Sequence, residues 1–359
     1  MSAPVAALDE ERTAFLARFG FREFDVVTTL EGGMFSRPLL VEADGRRRLL
    51  RTHTFRATVE SFQFQAEAIA AAAVQGVLCA QVVPLEDGGW SQPVVGRHAV
   101  MALHEFVEGC TDDWPQWHAR KESPGFLPNL GRQTARLHNA LRTATPGGEP
   151  VLPIDLPPIQ FDRLDEIQLR WDRDLVQLQS GGRMSRSLAT LIKLQPRIAG
   201  HWRRLAEAVG PRLTSLPRQI VHGDISPVNL LVGAGGWAFI DWDCVHVGWR
   251  LYDALGDVLN RPPVERPELN RFRADHVAAY LRGYAEALDE PLSADEKSLV
   301  LAFCVARQLE DLRQRVRALP ALADRHDAEY ATLIVRRVDM LDQIARIDSS
   351  WQAEDFFEA

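Results

Sequence analysis

One stretch constrains this chain more than any other. Ile220-Val-His-Gly-Asp-Ile-Ser-Pro-Val-Asn-Leu-Leu-Val232 is followed, after a glycine-rich turn, by Phe239-Ile-Asp-Trp-Asp243. Two short apolar runs bracket a polar loop that carries His222, Asp224 and Asn229. Leu230 to Val232 and Trp237 to Ile240 read as strands, with Gly233 to Gly236 as the turn between them. The hairpin returns the chain and delivers Asp241 at a strand end. A carboxylate, an amide oxygen and a second carboxylate thus converge from neighbouring loop and strand ends. Hard oxygen donors of this kind suit Mg²⁺, which takes one or two carboxylates plus waters and phosphate oxygens. With Asn229 and Asp241 on a metal, Asp224 is left to receive a proton or orient a hydroxyl. Phosphoryl transfer from a nucleotide needs these parts: metal neutralises the transferred charge while a carboxylate positions the attacking hydroxyl. An aspartate is a weak base towards an alcohol, so alignment is its main contribution.

Upstream, the first hundred residues read mostly as strands. Arg22 to Leu30 is β-branched, and Pro38 to Val41 and Arg48 to Thr52 flank Asp44-Gly45, a hairpin turn signal. A helix fits Thr58 to Val74, and Cys79 to Leu85 and His98 to Val107 read as two further strands. Trp114, Pro115 and Trp117 lie in a polar stretch that reads as irregular. From Phe126 to Leu141, Leu127, Leu130, Thr134, Leu137 and Leu141 line one helical face. Pro146 to Pro158 is a loop, helical patterns fill Phe161 to Val209 with a break at Gly181-Gly182, and Ser293 with Glu296 forms a capping box.

The pattern H-G-D-x-x-x-x-N followed by I-D-W-D resembles the aminoglycoside phosphotransferase family, which has choline kinase and the type II homoserine kinases as relatives. The resemblance implies an α+β, protein-kinase-like bilobal fold. Its N-terminal lobe would be a five-stranded antiparallel sheet with one helix, and its C-terminal lobe mainly helical. Residues 1–107 would bind nucleotide, and residues 108–359 would carry the catalytic loop and the acceptor site. By the same resemblance Asp224 is the catalytic base, Asn229 and Asp241 are the Mg²⁺ ligands, and His222 organises the loop. Asp253 would hydrogen-bond that loop from the following helix, although Gly248-Trp249-Arg250 replaces the family's usual Gly-Asp-Pro. Leu30 to Ser36 occupies the place of the phosphate-covering loop, so Gly32, Gly33 and Ser36 are candidate phosphate contacts through backbone amides. The third strand should carry a cation for the α- and β-phosphates. No lysine occurs in the first 120 residues, so Arg51 is the candidate, steadied by Glu67 on the helix. Arg48 is the rival, and strand alternation puts the two on opposite faces. Glu105 to Gly109 is the expected hinge, meeting adenine through backbone groups at Glu105 and Val107. His138 is expected to be a packed structural histidine.

The implied activity is transfer of phosphate from ATP, or GTP, to a hydroxyl of a small molecule: an antibiotic, homoserine, choline or another amino alcohol, or a sugar. A protein kinase fits less well, because Ser226 stands where a lysine is usual and Asp241 is followed by Trp242 and Asp243 rather than D-F-G. A non-catalytic nucleotide-binding protein is the other alternative, set against a full complement of competent residues. Composition narrows the partners. The net charge of −8, with no long basic block, argues against nucleic acid. The longest apolar run, Leu299 to Ala306, is far below the roughly 20 residues of a membrane helix. No secretory leader is visible, and Cys79, Cys110, Cys244 and Cys304 make no zinc pattern, so reduced thiols in a cytoplasmic protein are expected. Acidic residues at Asp112, Asp113, Asp162, Asp165 and Glu166 read as a solvated face.

Overall fold

Residues Asp44 and Gly45 sit in the left-handed region at φ 51° and 71°, the backbone a tight hairpin demands. That turn fixes the register of the sheet around it. In the computed structural model, which describes residues 10–21, 24–30, 38–53, 58–111, 114–148, 159–181, 184–233, 236–256, 271–321, 326–347 and 353–357, the chain divides into two compact units. The first comprises Met1–Asp112, Asn139–Pro153 and Val228–Val247; the second comprises Asp113–His138, Ile154–Pro227 and Gly248–Ala359.

The first unit opens with α1 (Glu10–Ala17), followed by β1 (Phe24–Thr29), β2 (Leu39–Ala43), β3 (Arg46–His53), α2 (Val59–Val74), β4 (Gln92–Pro93) and β5 (Val100–Glu105). The strands form one antiparallel sheet in the order β1-β2-β3-β5-β4. Phe15, Leu16, Leu39, Val41, Leu50 and Leu103 pack together as its core. A capping box starts α2: Ser61 N donates to Thr58 Oγ1 at 3.1 Å and Thr58 N to Ser61 Oγ at 2.9 Å. The segment 79–85, expected as a strand, makes only isolated bridges, Cys79 with Phe239 and Val82 with His104. The fourth strand is instead the two-residue β4. Pro84 lacks the donor a continuous ladder needs, so pairing stops after Val83 N donates to Leu103 O.

The same unit holds a second sheet of β6 (Cys110–Thr111), β8 (Leu230–Gly233) and β9 (Gly236–Phe239), in the order β6-β8-β9. The second unit is mainly helical. Its strand β7 (Arg218–Val221) precedes the loop of residues 222–227. The stretch expected to be irregular folds as α3 (Trp114–Lys121), with Trp117 fully buried. The leucine stripe is realised in α4 (Phe126–Arg142), where Leu127, Leu130, Leu137 and Leu141 are all buried. Helices α5 (Leu164–Ser180) and α6 (Arg186–Val209) flank the expected break. After β10 (His246–Trp249) come α7 (Arg250–Ala254), α8 (Ala274–Ala287), α9 (Ala294–Ser298), α10 (Val300–Ala318) and α11 (Asp327–Ile347). Gly131 of α4 lies against the backbone of Tyr280 and Tyr284 in α8, and Gly283 of α8 lies against Pro128, so two glycines set this helix crossing. Among the described residues, no helix is long and apolar enough to cross a membrane.

Candidate active site

The β8–β9 hairpin does what its sequence suggests. Leu230 pairs with Phe239, and one step further Ile240 N donates to Asn229 O at 3.0 Å. Asn229, buried, and Asp241 therefore stand at adjoining ends of one ladder. Asp241 is left-handed, with φ 61° and ψ 64°, one of two described non-glycine residues at positive φ. Such backbone persists where the surroundings over-determine it, often at functional sites. Arg51 helps to fix it: Arg51 Nη2 donates to Asp241 Oδ1 at 2.9 Å and lies 3.8 Å from Asp243 Oδ2. Burial pulls the Arg51 pKa down, but Asp243 and then Asp241 outweigh it, and the guanidinium titrates above its ordinary value.

Behind Asp243 lies a buried chain of rings. His53 Nδ1 meets Asp243 Oδ1 at 3.0 Å, His53 Nε2 meets His104 Nε2 at 3.3 Å, and His104 Nδ1 meets Ala80 O at 3.3 Å. Gln65 Nε2 donates to the same Asp243 oxygen at 3.2 Å. Burial would raise the Asp243 carboxyl, yet His53, then Arg51 and the Gln65 bond, hold it well below the usual carboxylate range. Burial, followed by the charges of His53 and Arg51, pushes His104 down to about 3. His53, Gln65 and His104 escaped the sequence reading. The available signal was strand alternation, which sets His53 on the same face of β3 as Arg51.

Arg48 points elsewhere. Its Nη1 donates to Ala43 O at 2.9 Å and its guanidinium sits 4.6 Å from the centre of the Phe21 ring. The expected Arg51–Glu67 pair does not form among the described residues, which corrects the assignment of Glu67. Its carboxylate accepts from Gln63 Nε2 at 2.8 Å and from Gly147 N at 2.6 Å. Gln65 and Glu67 lie two residues apart, on opposing sides of α2, and it is Gln65 that faces Asp243. At the expected hinge, Glu105 N donates to Gln81 O at 2.8 Å and Phe106 N to Arg47 O at 3.3 Å. The Glu105 amide is thus already engaged, and Val107 is half-buried with no such backbone bond among the described residues. Gly32, Gly33 and Ser36 fall outside the described residues, as do Asp112 and Asp113.

In the second unit the loop of residues 222–227 is organised around Asp253 at the end of α7. Its carboxylate accepts from His222 N at 3.1 Å, Gly223 N at 2.9 Å and His138 Nε2 at 3.0 Å. Burial raises this carboxyl, but the His138 bond and the charges of His138, His222 and Arg307 bring it down to about 2. His138 is buried and also bonds Tyr284 Oη at 2.6 Å through Nδ1, the packed role expected of it. Gly223 sits at φ 86°, a conformation that favours glycine and lets consecutive amides point at one carboxylate. Asp224 N donates to Nδ1 of the buried His222 at 3.3 Å, so that nitrogen is an acceptor and His222 shapes the loop from inside. The Asp224 side chain is half-buried.

The donor set suits a hard cation. One amide oxygen and one carboxylate adjoin on the hairpin, and the Asp241 side chain is 38% exposed. Among the described residues no cluster of three or more His, Cys, Asp or Glu forms a metal site.

A model of the phosphotransferase enzyme family matches residues 26–289. No match is found among curated proteins. Among solved structures, a microcompartment-associated aminopropanol kinase is 17% identical, with 94% of this chain and 98% of that chain covered and a TM-score of 0.64. An aminoglycoside phosphotransferase from Alicyclobacillus acidocaldarius is 15% identical, with 96% and 98% covered and a TM-score of 0.63. An amicoumacin kinase in complex with AMP-PNP, Ca²⁺ and its antibiotic is 17% identical, with 94% of each chain covered and a TM-score of 0.59. These likenesses agree with the five-stranded sheet and helical remainder described above. With the family model spanning well over half of the sequence, the chain belongs to the phosphotransferase enzyme family and is a small-molecule kinase.

Proposed function

We propose that this enzyme transfers the γ-phosphoryl group of ATP directly to a hydroxyl of a small molecule. Residues 1–107 take the nucleotide, and residues 108–359 carry the catalytic loop and take the acceptor. Asp224 aligns the attacking hydroxyl and receives its proton late in the transfer. Asn229 and Asp241 hold Mg²⁺, which would neutralise charge on the phosphates. Arg51 contacts the phosphates, and the backbone at Val107 meets the base. The acceptor class is an antibiotic, an amino alcohol, a homoserine-like compound or a sugar. An aminopropanol kinase and an amicoumacin kinase among the structural neighbours favour an acceptor with a hydroxyl near an amine.

The observation that carries this reading is the Asn229–Asp241 hairpin end with Arg51 bonded to Asp241. It brings one cation and two oxygen donors together, as a metal–triphosphate requires. Calorimetry with Mg-ATP tests it. Asp241→Ala is expected to lose metal-dependent affinity, by at least about tenfold. Unchanged binding would put the metal elsewhere.

A further inference from the structure

The family resemblance gives the strand cation a helix glutamate as its partner, and this chain uses that glutamate elsewhere. Glu67 holds Gly147 N and Gln63. We propose that Asp243, clamped by His53 and Gln65, is the positioning residue that aims Arg51 at nucleotide phosphate, and that Asp243 is not a metal ligand. The proposal rests on Arg51 being the phosphate-binding cation.

Asp243 is bonded through one oxygen and faced by a cation at the other. Oδ1 accepts from His53 Nδ1 and from Gln65 Nε2, and Oδ2 faces Arg51 Nη2. A carboxylate with one oxygen bonded twice by protein and the other facing a guanidinium is a poorer cation ligand than Asp241, which is more exposed and is bonded by Arg51 through Oδ1. The clamp itself is rigid. His53 is buried between Asp243, the Phe62 ring at 4.7 Å and His104, and His104 is tied to the Ala80 carbonyl. The charged groups facing His53 are Asp243, from the segment after β9, and Arg51, on its own strand; β5 contributes His104, and α2 contributes the uncharged Gln65 and Phe62.

Two carboxylates on one guanidinium have a physical use. When Asp241 shares its charge with a metal, its hold on Arg51 weakens, while Asp243 keeps its own. Arg51 Nε is buried and has no partner among the described residues. A lysine would not serve, because the Asp243 oxygen faces one arm of a fork that leaves the others free.

The test separates phosphate binding from metal binding. ATP is titrated calorimetrically in EDTA and again with Mg²⁺, into wild type, Arg51→Ala, Asp243→Asn, Gln65→Leu and Glu67→Gln, with Tm recorded for each. Asp243→Asn should weaken ATP about tenfold under both conditions, and Gln65→Leu about fivefold under both. Glu67→Gln should cost less than either. Gln65→Leu added to Arg51→Ala should bring no further loss, because the clamp acts through Arg51. A loss confined to the Mg²⁺ titration would make Asp243 a metal ligand and overturn the proposal. So would full additivity of Gln65→Leu with Arg51→Ala, which needs no folded Asp243→Asn protein. If Arg51→Ala itself leaves ATP affinity intact, the phosphate role of Arg51 fails and the clamp fails with it. If Arg51→Ala weakens ATP and the clamp variants do not, only the clamp is overturned.

Discussion

Asp253 gathers three donors, two of them amides of the loop that follows β7, and its pKa is held down at about 2. A carboxyl depressed in the folded state stabilises above its unfolded pKa and loses that contribution as pH falls through the folded one. The window here runs from about pH 4 down to about pH 2, and the depression of nearly two units corresponds to about 2 kcal/mol. The Tm gap between wild type and Asp253→Asn should therefore be widest above pH 4 and shrink as the solution is acidified. A gap independent of pH would remove the charge from Asp253's role. Asp224→Asn belongs to the same scale. It should lower turnover at least about a thousandfold while nucleotide affinity changes less than about twofold, since in the proposed mechanism the carboxylate acts on the acceptor side. The adjoining of Asn229 and Asp241 was legible because both lie in one contiguous hairpin motif whose spacing fixes their placement. Glu67 was misread because a helix two residues out of phase presents the opposite face, and nothing in the sequence says whether residue 65 or 67 looks inward.

Among the elements, those with long, regular periodicity were the legible ones. The stripe from Leu127 to Leu141 and the Asp44-Gly45 hairpin appear where the pattern puts them. Short elements were not. Gln92–Pro93 has no room for a period, and 79–85 has strand-like residues but a proline that ends its ladder. Helix α3 was hidden by tryptophans and a proline in a polar run, yet proline is tolerated in a first helical turn. The glycine-set crossing of α4 and α8 was invisible for another reason: it depends on a partner helix about 150 residues away. A Cβ at Gly283 would overlap the Pro128 backbone, so Gly283→Ala should cost about 2 kcal/mol or more and lower the Tm by several degrees. Gly200 of α6 has open space around it. Gly200→Ala should hold or raise the Tm, and equal effects at the two sites would contradict the close crossing.

At the scale of the molecule, the chain passes between its two units five times. The first unit is completed by residues 228–247, which bring Asp241 and Asp243 to Arg51 and His53. A chain ending at residue 112 would leave Arg51 and His53 buried without those carboxylates, a loss of order 3–5 kcal/mol for a broken buried pair. It should fail to give a cooperative unfolding transition, which circular dichroism on heating would show. The central claim concerns the whole enzyme and is tested by acceptor-dependent ADP release. Mg-ATP is supplied with a panel of aminoglycosides, nucleoside antibiotics, homoserine, choline and other amino alcohols, and hexoses, with Asp224→Asn run alongside. A signal that needs one acceptor, with phosphate on its hydroxyl, and that disappears in Asp224→Asn, is the predicted result. ADP release that persists undiminished in Asp224→Asn would contradict the account.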